Sequence, residues 1–213
     1  MRLAREVING NMRKSHEDRK AEIIQATLDV AADDKSRKIT TQVIADKLSI
    51  SQPTIFKHFK NNETLFLTVF EWVSEKIFAK FDASVANESD LPRERLEKLI
   101  TAQLIFLTGH PGVARLIFSN HVYKGPQKLK SVVRKIMNMY IQKLTEQVRE
   151  GVACGQFRGD VDPDVAARLM VSTIQGVIVR WSIHDFGFDL QEEVRPLLKL
   201  IFRALDKDTE QPV

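Results

Sequence analysis

The sequence has little of what would place it outside the cytoplasm or among enzymes. It holds one cysteine, Cys154, so no disulfide can close within the chain, and a single thiol suits a reducing compartment. No charged segment followed by an apolar one opens it, so no secretory signal is expected. The most apolar run, residues 165–183, is broken by Arg168 and Arg180. It falls short of the ~20 apolar residues a membrane span needs. No period-two alternation marks a strand, and no repeat or low-complexity tract is present. No Ser/His/Asp set, phosphate loop or carboxylate pair at helical spacing emerges, so no enzyme is expected. The pairs Asp33-Asp34 and Glu192-Glu193 read as solvated caps. His110 and His121 lack Cys or acidic partners at metal-ligand spacing, so neither a metal nor another cofactor is expected.

What is present is an ordinary composition for a soluble globular protein, 43% hydrophobic and 28% charged, with a pI near 9.2. The charge is unevenly placed. Residues 1–60 carry 12 of the 32 Lys+Arg and 8 of the 28 Asp+Glu. The remainder is neutral, so the whole surplus sits at the N-terminal end, which agrees with phosphate binding; a chance surplus is the alternative.

Helical periodicity and caps divide the chain. Residues 1–14 read as a flexible basic arm that either touches DNA or is idle. Ser15 to Asp18 resembles a capping box with Asp for Glu, opening a helix to about Ala32 whose stripe is Ala21, Ile24, Leu28 and Ala31. Thr40 caps a second helix with Val43, Ile44 and Leu48 inside. Ser49-Ile50-Ser51 forms a turn, with Ser51 as a cap. A third, short helix follows, with Pro53 in its first turn and Ile55 and Phe59 facing inward. Asn61 caps a fourth helix to about Val85, with Leu65, Val69, Trp72, Val73, Ile77 and Phe81 along one face. Further helices are expected over residues 92–108, 111–120, 128–150 (stopped near Gly151), 163–184 and 189–205. Pro196 would kink the last or set its true start. The fold class is all-α, with about nine helices. The divisions are 1–14 (arm), 15–62 (DNA-binding head), 63–206 (regulatory and dimerisation body, 63–85 connecting) and 207–213 (tail).

Residues 40–62 therefore read as a helix-turn-helix, which lays its second helix in the major groove of double-stranded DNA. Gln52, Thr54 and Lys57 fit the outward face. Glutamine pairs bidentately with adenine, lysine reaches guanine O6 or N7, and threonine offers its hydroxyl or methyl. Pro53 and Phe56 offer apolar contact to a thymine methyl or a sugar. Thr41 and Gln42 suit phosphates or flanking bases, and His58, Lys60 and Asn62 suit phosphates. The alternative is an ordinary solvated helix face.

These residues, Ile39-Thr40-Thr41 through Gln52-Pro53-Thr54-Ile55-Phe56-Lys57-His58-Phe59-Lys60-Asn61, resemble the TetR family of bacterial transcriptional regulators over roughly 45 residues. The resemblance implies a homodimer on a palindromic operator. Each subunit would carry a three-helix head and a connecting fourth helix. Its ligand-binding body would give the last two long helices to a four-helix bundle with their mates. Ser49 stands where the family usually has Gly, Phe56 where Tyr is common and Asn62 where Lys is common. The last two changes each remove a phosphate contact and leave base reading untouched.

In the body, Val165, Leu169, Thr173, Gly176, Val177 and Arg180, with Leu198, Ile201, Phe202 and Leu205, are the candidate dimer interface. A purely intramolecular core is the alternative. Phe78, Phe106, His110, Phe118, His121, Met137, Tyr140, Gln175 and Trp181 are candidate linings of a pocket for a flat or apolar small molecule, with plain core packing as the alternative for each. Two functions follow. One is a repressor released by a small-molecule effector, with the fourth helix as lever. The other is a ligand-independent DNA-binding protein with an architectural or chromosome-organising role.

Overall fold

The computed structural model describes residues 15–33 and 39–207. The arm (1–14), loop residues 34–36 and residues 208–213 of the tail lie outside the described residues. Ten helical segments run α1 (His16–Ala32), α2 (Thr41–Lys47), α3 (Gln52–Phe56), α4 (Asn62–Ser84), α5 (Pro92–Gly109), α6 (Pro111–Ile117), α7 (Asn120–Tyr123), α8 (Gln127–Ala153), α9 (Pro163–Ile183) and α10 (Leu190–Leu205). Among the described residues there is no strand, only an isolated bridge between Phe157 and Asp206. The fold is all-α. No helix among the described residues is long and apolar enough to cross a membrane.

The caps explain most boundaries. Ser15 and Asp18 close a reciprocal capping box on α1. The Thr40 hydroxyl accepts from Val43 N, and Asn61 Oδ1 accepts from Thr64 N at 2.8 Å. Asp162 and Asp189 cap α9 and α10 through their carboxylates. Three boundaries differ from the periodicity. The expected helix over 111–120 is two pieces, α6 and α7, with Ser119 at the break. Helix α8 runs through Gly151 to Ala153, because the Phe157 ring fills the notch where a Cβ would stand. The left-handed residue that follows its end is Gly155 (φ 76°). Helix α10 begins at Leu190 and carries Pro196 inside it at an exposed position.

One buried core joins head to body. Ile23, Leu28, Ile44, Ile55 and Phe59 anchor α1–α3; Leu65, Val69, Phe70 and Phe81 carry it along α4; Leu96, Leu144, Ile174 and Phe202 complete it. Ala21, expected in the α1 stripe, is exposed, and Ile23 takes its place at 0% exposure. The apolar face of α1 is centred one residue further along than the spacing suggests, because α1 is covered on two sides, by α2 and by α6.

The α1–α6 contact is the more extensive by far, and it is a backbone contact. A Cβ built on Gly112 would lie 1.9 Å from the Leu28 carbonyl oxygen. Only glycine lets α6 sit this low on α1. Gly112→Ala must lift α6 off α1, costing about 1–3 kcal/mol of stability as overpacking does. Urea denaturation checks this, and an unchanged midpoint would contradict it.

Candidate nucleic-acid interface and effector cavity

The head displays α3 by burying one residue of it and one just past its end. Ile55 and Phe59 are 0% and 1% exposed and pin the helix into the core beside α2. Its opposite side faces solvent, where Pro53, Phe56, Lys57 and Lys60 are exposed and Gln52, Thr54 and His58 are half-buried. Phe56 leaves 43% of its surface in water, within reach of a partner laid against this face. The turn into α3 uses Ser49 at φ 53°, in the left-handed region its position requires. The Ser51 hydroxyl makes no bond to a helix amide; it pairs with Thr54 Oγ1 at 2.8 Å.

Several polar groups of the face are already engaged. Gln52 Nε2 donates to Thr41 Oγ1 at 2.7 Å, and Thr41 is buried at 4% exposure. Thr41, expected at a phosphate or a flanking base, is buried and holds the Gln52 amide. Exposed Gln42 donates to Asp46 Oδ1 at 2.7 Å. Lys57 and Lys60 make no ion pair among the described residues. Exposed Asn62 opens α4, where first-turn amides lack helical partners. The His58 ring stacks on His16 of α1 at 4.3 Å between centroids. Burial, then the charges of His16, Arg19 and Lys20, hold His58 below the ordinary imidazole value, against the opposing pull of Glu17.

In the body, a cavity of about 80 Å³ lies among α4, α5, α6, α8 and α9. Phe118, Met137, Tyr140 and Gln175 line it, as do Ile77, Phe81, Gln103 and Ile178. The other five expected lining residues pack elsewhere. Phe78 meets the edge of Phe81, Phe106 stacks on His110, and the His110 Nδ1–H donates to the Phe106 carbonyl. His121 stacks on Phe66 at 4.4 Å, and Trp181 donates its indole N–H to the Phe188 carbonyl. Each aromatic ring finds an aromatic or carbonyl partner within the core, which periodicity does not reveal. Gln103 was missed; its signal is an amide at the position where the buried face of α5 (Leu96, Leu99, Ile100, Leu107) continues.

The expected dimer residues divide by side. Val165, Leu169, Gly176 and Arg180 are exposed, and Thr173, Leu198 and Ile201 are half-buried. Val177, Phe202 and Leu205 point into the subunit's own core instead. Val177 follows the inner register of Met170, Ile174 and Trp181, whereas the outer register adds Ile183, 73% exposed. Leu200 on α10 is likewise exposed. Arg180 pairs with Glu193 and lies over the Phe188 ring, tying α9 to α10.

A helix-turn-helix displayed on a helical body with an internal cavity defines a DNA-binding transcriptional regulator. The model for the YsiA-like protein C-terminal region matches residues 70–204, more than half of the chain. The chain belongs to the TetR family of bacterial transcriptional regulators. The nucleoid occlusion factor SlmA of Marinomonas sp. is 22% identical over 82% of this chain and 88% of its own length. The fatty acid metabolism regulator protein of Bacillus subtilis is 21% identical over 86% of this chain and 94% of its own length. Among solved structures, Bacillus subtilis FadR in complex with stearoyl-CoA superposes with a TM-score of 0.73 at 21% identity, covering 86% of this chain and 98% of that one. A Saccharomonospora viridis regulator in complex with choline gives 0.77 at 20% identity, covering 90% and 99%.

Two outcomes follow from these residues. Lys57→Ala weakens operator binding by about 1–3 kcal/mol and lowers its salt dependence. A titration with unchanged affinity and slope would contradict this. Burial also lowers His121, so two histidines hold fewer protons folded than unfolded. Their stabilisation is complete above the unfolded value of 6.5 and is lost as pH falls below it toward the folded values. Denaturation midpoints should fall on acidification through this window, and His58→Gln with His121→Gln should flatten the trend. An unaltered slope in the double variant would refute the assignment.

Proposed function

We propose that this regulator is a homodimeric repressor, working in the cytoplasm on a palindromic operator and released by a small-molecule effector. One observation carries the reading: α6 borders the cavity on one side and grips the head on the other. Ala114 and Ile117 line the cavity, while Gly112 rests on the Leu28 carbonyl. Arg115 of the same helix donates from Nη1 to the Ala32 carbonyl at the end of α1, and from Nη2 to Asp185 Oδ1, each at 2.5 Å. Its guanidinium also lies 4.6 Å from the centre of the Phe186 ring. Asp185 and Phe186, at φ 50° and 61°, form the turn between the two helices offered for dimerisation. Arg115 thus fastens the head to the dimer helices, beside the cavity.

The lever is therefore α6 acting on α1, more than the connecting helix α4, whose contact with α1 is much smaller. An effector releases DNA by favouring a seat of α6 that tilts the heads away from the half-site spacing, ~34 Å in simple dimers. It does so only as far as its affinity differs between the two arrangements. The apolar stripe of Val165, Leu169, Gly176 and Ile183 supports a two-fold interface, since such a row in water needs a partner. The SlmA relatives favour a second reading, a chromosome-organising protein that needs no effector.

Selection of bound fragments from random DNA separates the two when the winning site is mapped on the chromosome. A single palindrome at a promoter supports the repressor; many dispersed sites support the organiser. For the interface, Leu169→Glu yields a folded monomer by sedimentation and weakens operator binding roughly 100-fold, as loss of bivalent engagement does. A wild-type chain that sediments as a monomer at micromolar concentration would remove the dimer.

A further inference from the structure

The cavity wall specifies more than a volume. Among the described residues that line it, none carries a charge. Two polar atoms in that wall are buried without a hydrogen-bond partner, Tyr140 Oη and Gln103 Oε1. Tyr140 is 95% shielded from solvent. Buried atoms of His58, Arg95, Thr145 and Gln147 also lack a partner, but none of those residues lines this cavity. A buried polar atom left unpaired is costly, and such atoms mark places that a further group fills. Burial pushes the Tyr140 phenol above its ordinary range, so it stays a neutral hydroxyl able to donate or accept. Gln103 Oε1 only accepts.

That donor and acceptor set selects the ligand's polar group. A hydroxyl accepts from Tyr140 or donates to Gln103, and does both if it bridges them. A carboxylate has no proton for Gln103, whereas an ammonium can donate to both atoms and is disfavoured by its charge alone. Either ion would also lose its hydration with no opposite charge in the wall. The space limits size. About 80 Å³ is roughly half of the ~150 Å³ cavity that takes benzene, so the occupant is no larger than one ring and enters by displacing flexible wall side chains such as Met137. Phe81 and Tyr140, stacked at 5.1 Å, together with Phe118 supply aromatic faces for such a ring.

We propose that the cavity takes a compact, uncharged, ring-bearing molecule with one hydroxyl, held by Tyr140 and Gln103. This rests on the effector reading above and sets the ligand apart from the stearoyl-CoA of the Bacillus subtilis structure.

The test uses the full chain with labelled isoleucine methyls, because Ile77, Ile117, Ile136 and Ile178 all line the wall and report occupancy there. The probes are benzyl alcohol, toluene, benzoate, benzylamine and stearoyl-CoA. Benzyl alcohol should shift these methyls with an affinity at least tenfold above benzoate or benzylamine. Tyr140→Phe should weaken benzyl alcohol at least threefold and leave toluene unchanged; if that variant does not fold, Gln103→Leu gives the same readout. If an ion or stearoyl-CoA moves the same methyls as well as the alcohol does, the ligand class is wrong while the effector cavity stands. If Tyr140→Phe and Gln103→Leu both leave the alcohol's affinity unchanged, the assignment of its polar anchor fails. If no probe moves these methyls, the cavity is not a ligand site and the effector reading falls with it.

Discussion

The contact on which the rest depends is the one between the Gly112 backbone and the Leu28 carbonyl. It brings α6 onto α1 with no side chain between them. A contact made of backbone has little give, because interiors are close-packed and respond to displacement by shifting whole elements. Whatever moves α6 must therefore move α1, and α1 carries α2 and α3 through the shared core of Ile23, Ile44, Ile55 and Phe59. The Arg115 fork extends the same connection to the α9–α10 turn. Head, cavity and dimer helices thus meet at one short helix of seven residues.

At the DNA end, the arrangement separates anchoring from reading. Ile55 and Phe59 hold the short α3 in place, since five residues alone cannot sustain a helix in water. Thr41, from the helix before, fixes the amide of Gln52. A side chain held by its own protein loses less freedom on binding, which favours specificity at one base step. The Gln52 amide has a second N–H beside the one given to Thr41, so this bond leaves a donor and the carbonyl oxygen for a base edge. Lys57 and Lys60 remain extended into solvent and supply charge.

The head was legible in the sequence because its signals are local. A capping serine with Asp18, a capping asparagine at 61 and an inward pair four residues apart each act within one turn of helix. The body was legible in its helices and much less in its faces. Periodicity marks which residues share a side of a helix, yet it cannot say whether that side meets its own subunit, a partner or empty space. Hence periodicity groups Val165 and Leu169 with Val177, and Leu198 and Ile201 with Phe202 and Leu205, although the subunit buries Val177, Phe202 and Leu205 itself. Periodicity likewise groups Phe106, His110 and Trp181 with Tyr140, although they pack against partners of their own. Gly151 misled for the opposite reason: its helix continues because a distant ring, Phe157, occupies the missing side chain's place.

The central claim is that occupancy of the cavity reaches DNA through α6. Ala114 is a buried α6 residue in the cavity wall, and Ala114→Leu places extra bulk there with no ligand present. The measurement is the operator affinity of that variant, checked as a folded dimer by sedimentation. The account predicts a loss of at least about tenfold, the scale of an allosteric coupling of 1–3 kcal/mol. A folded dimer that binds its operator as tightly as the unaltered protein would contradict it.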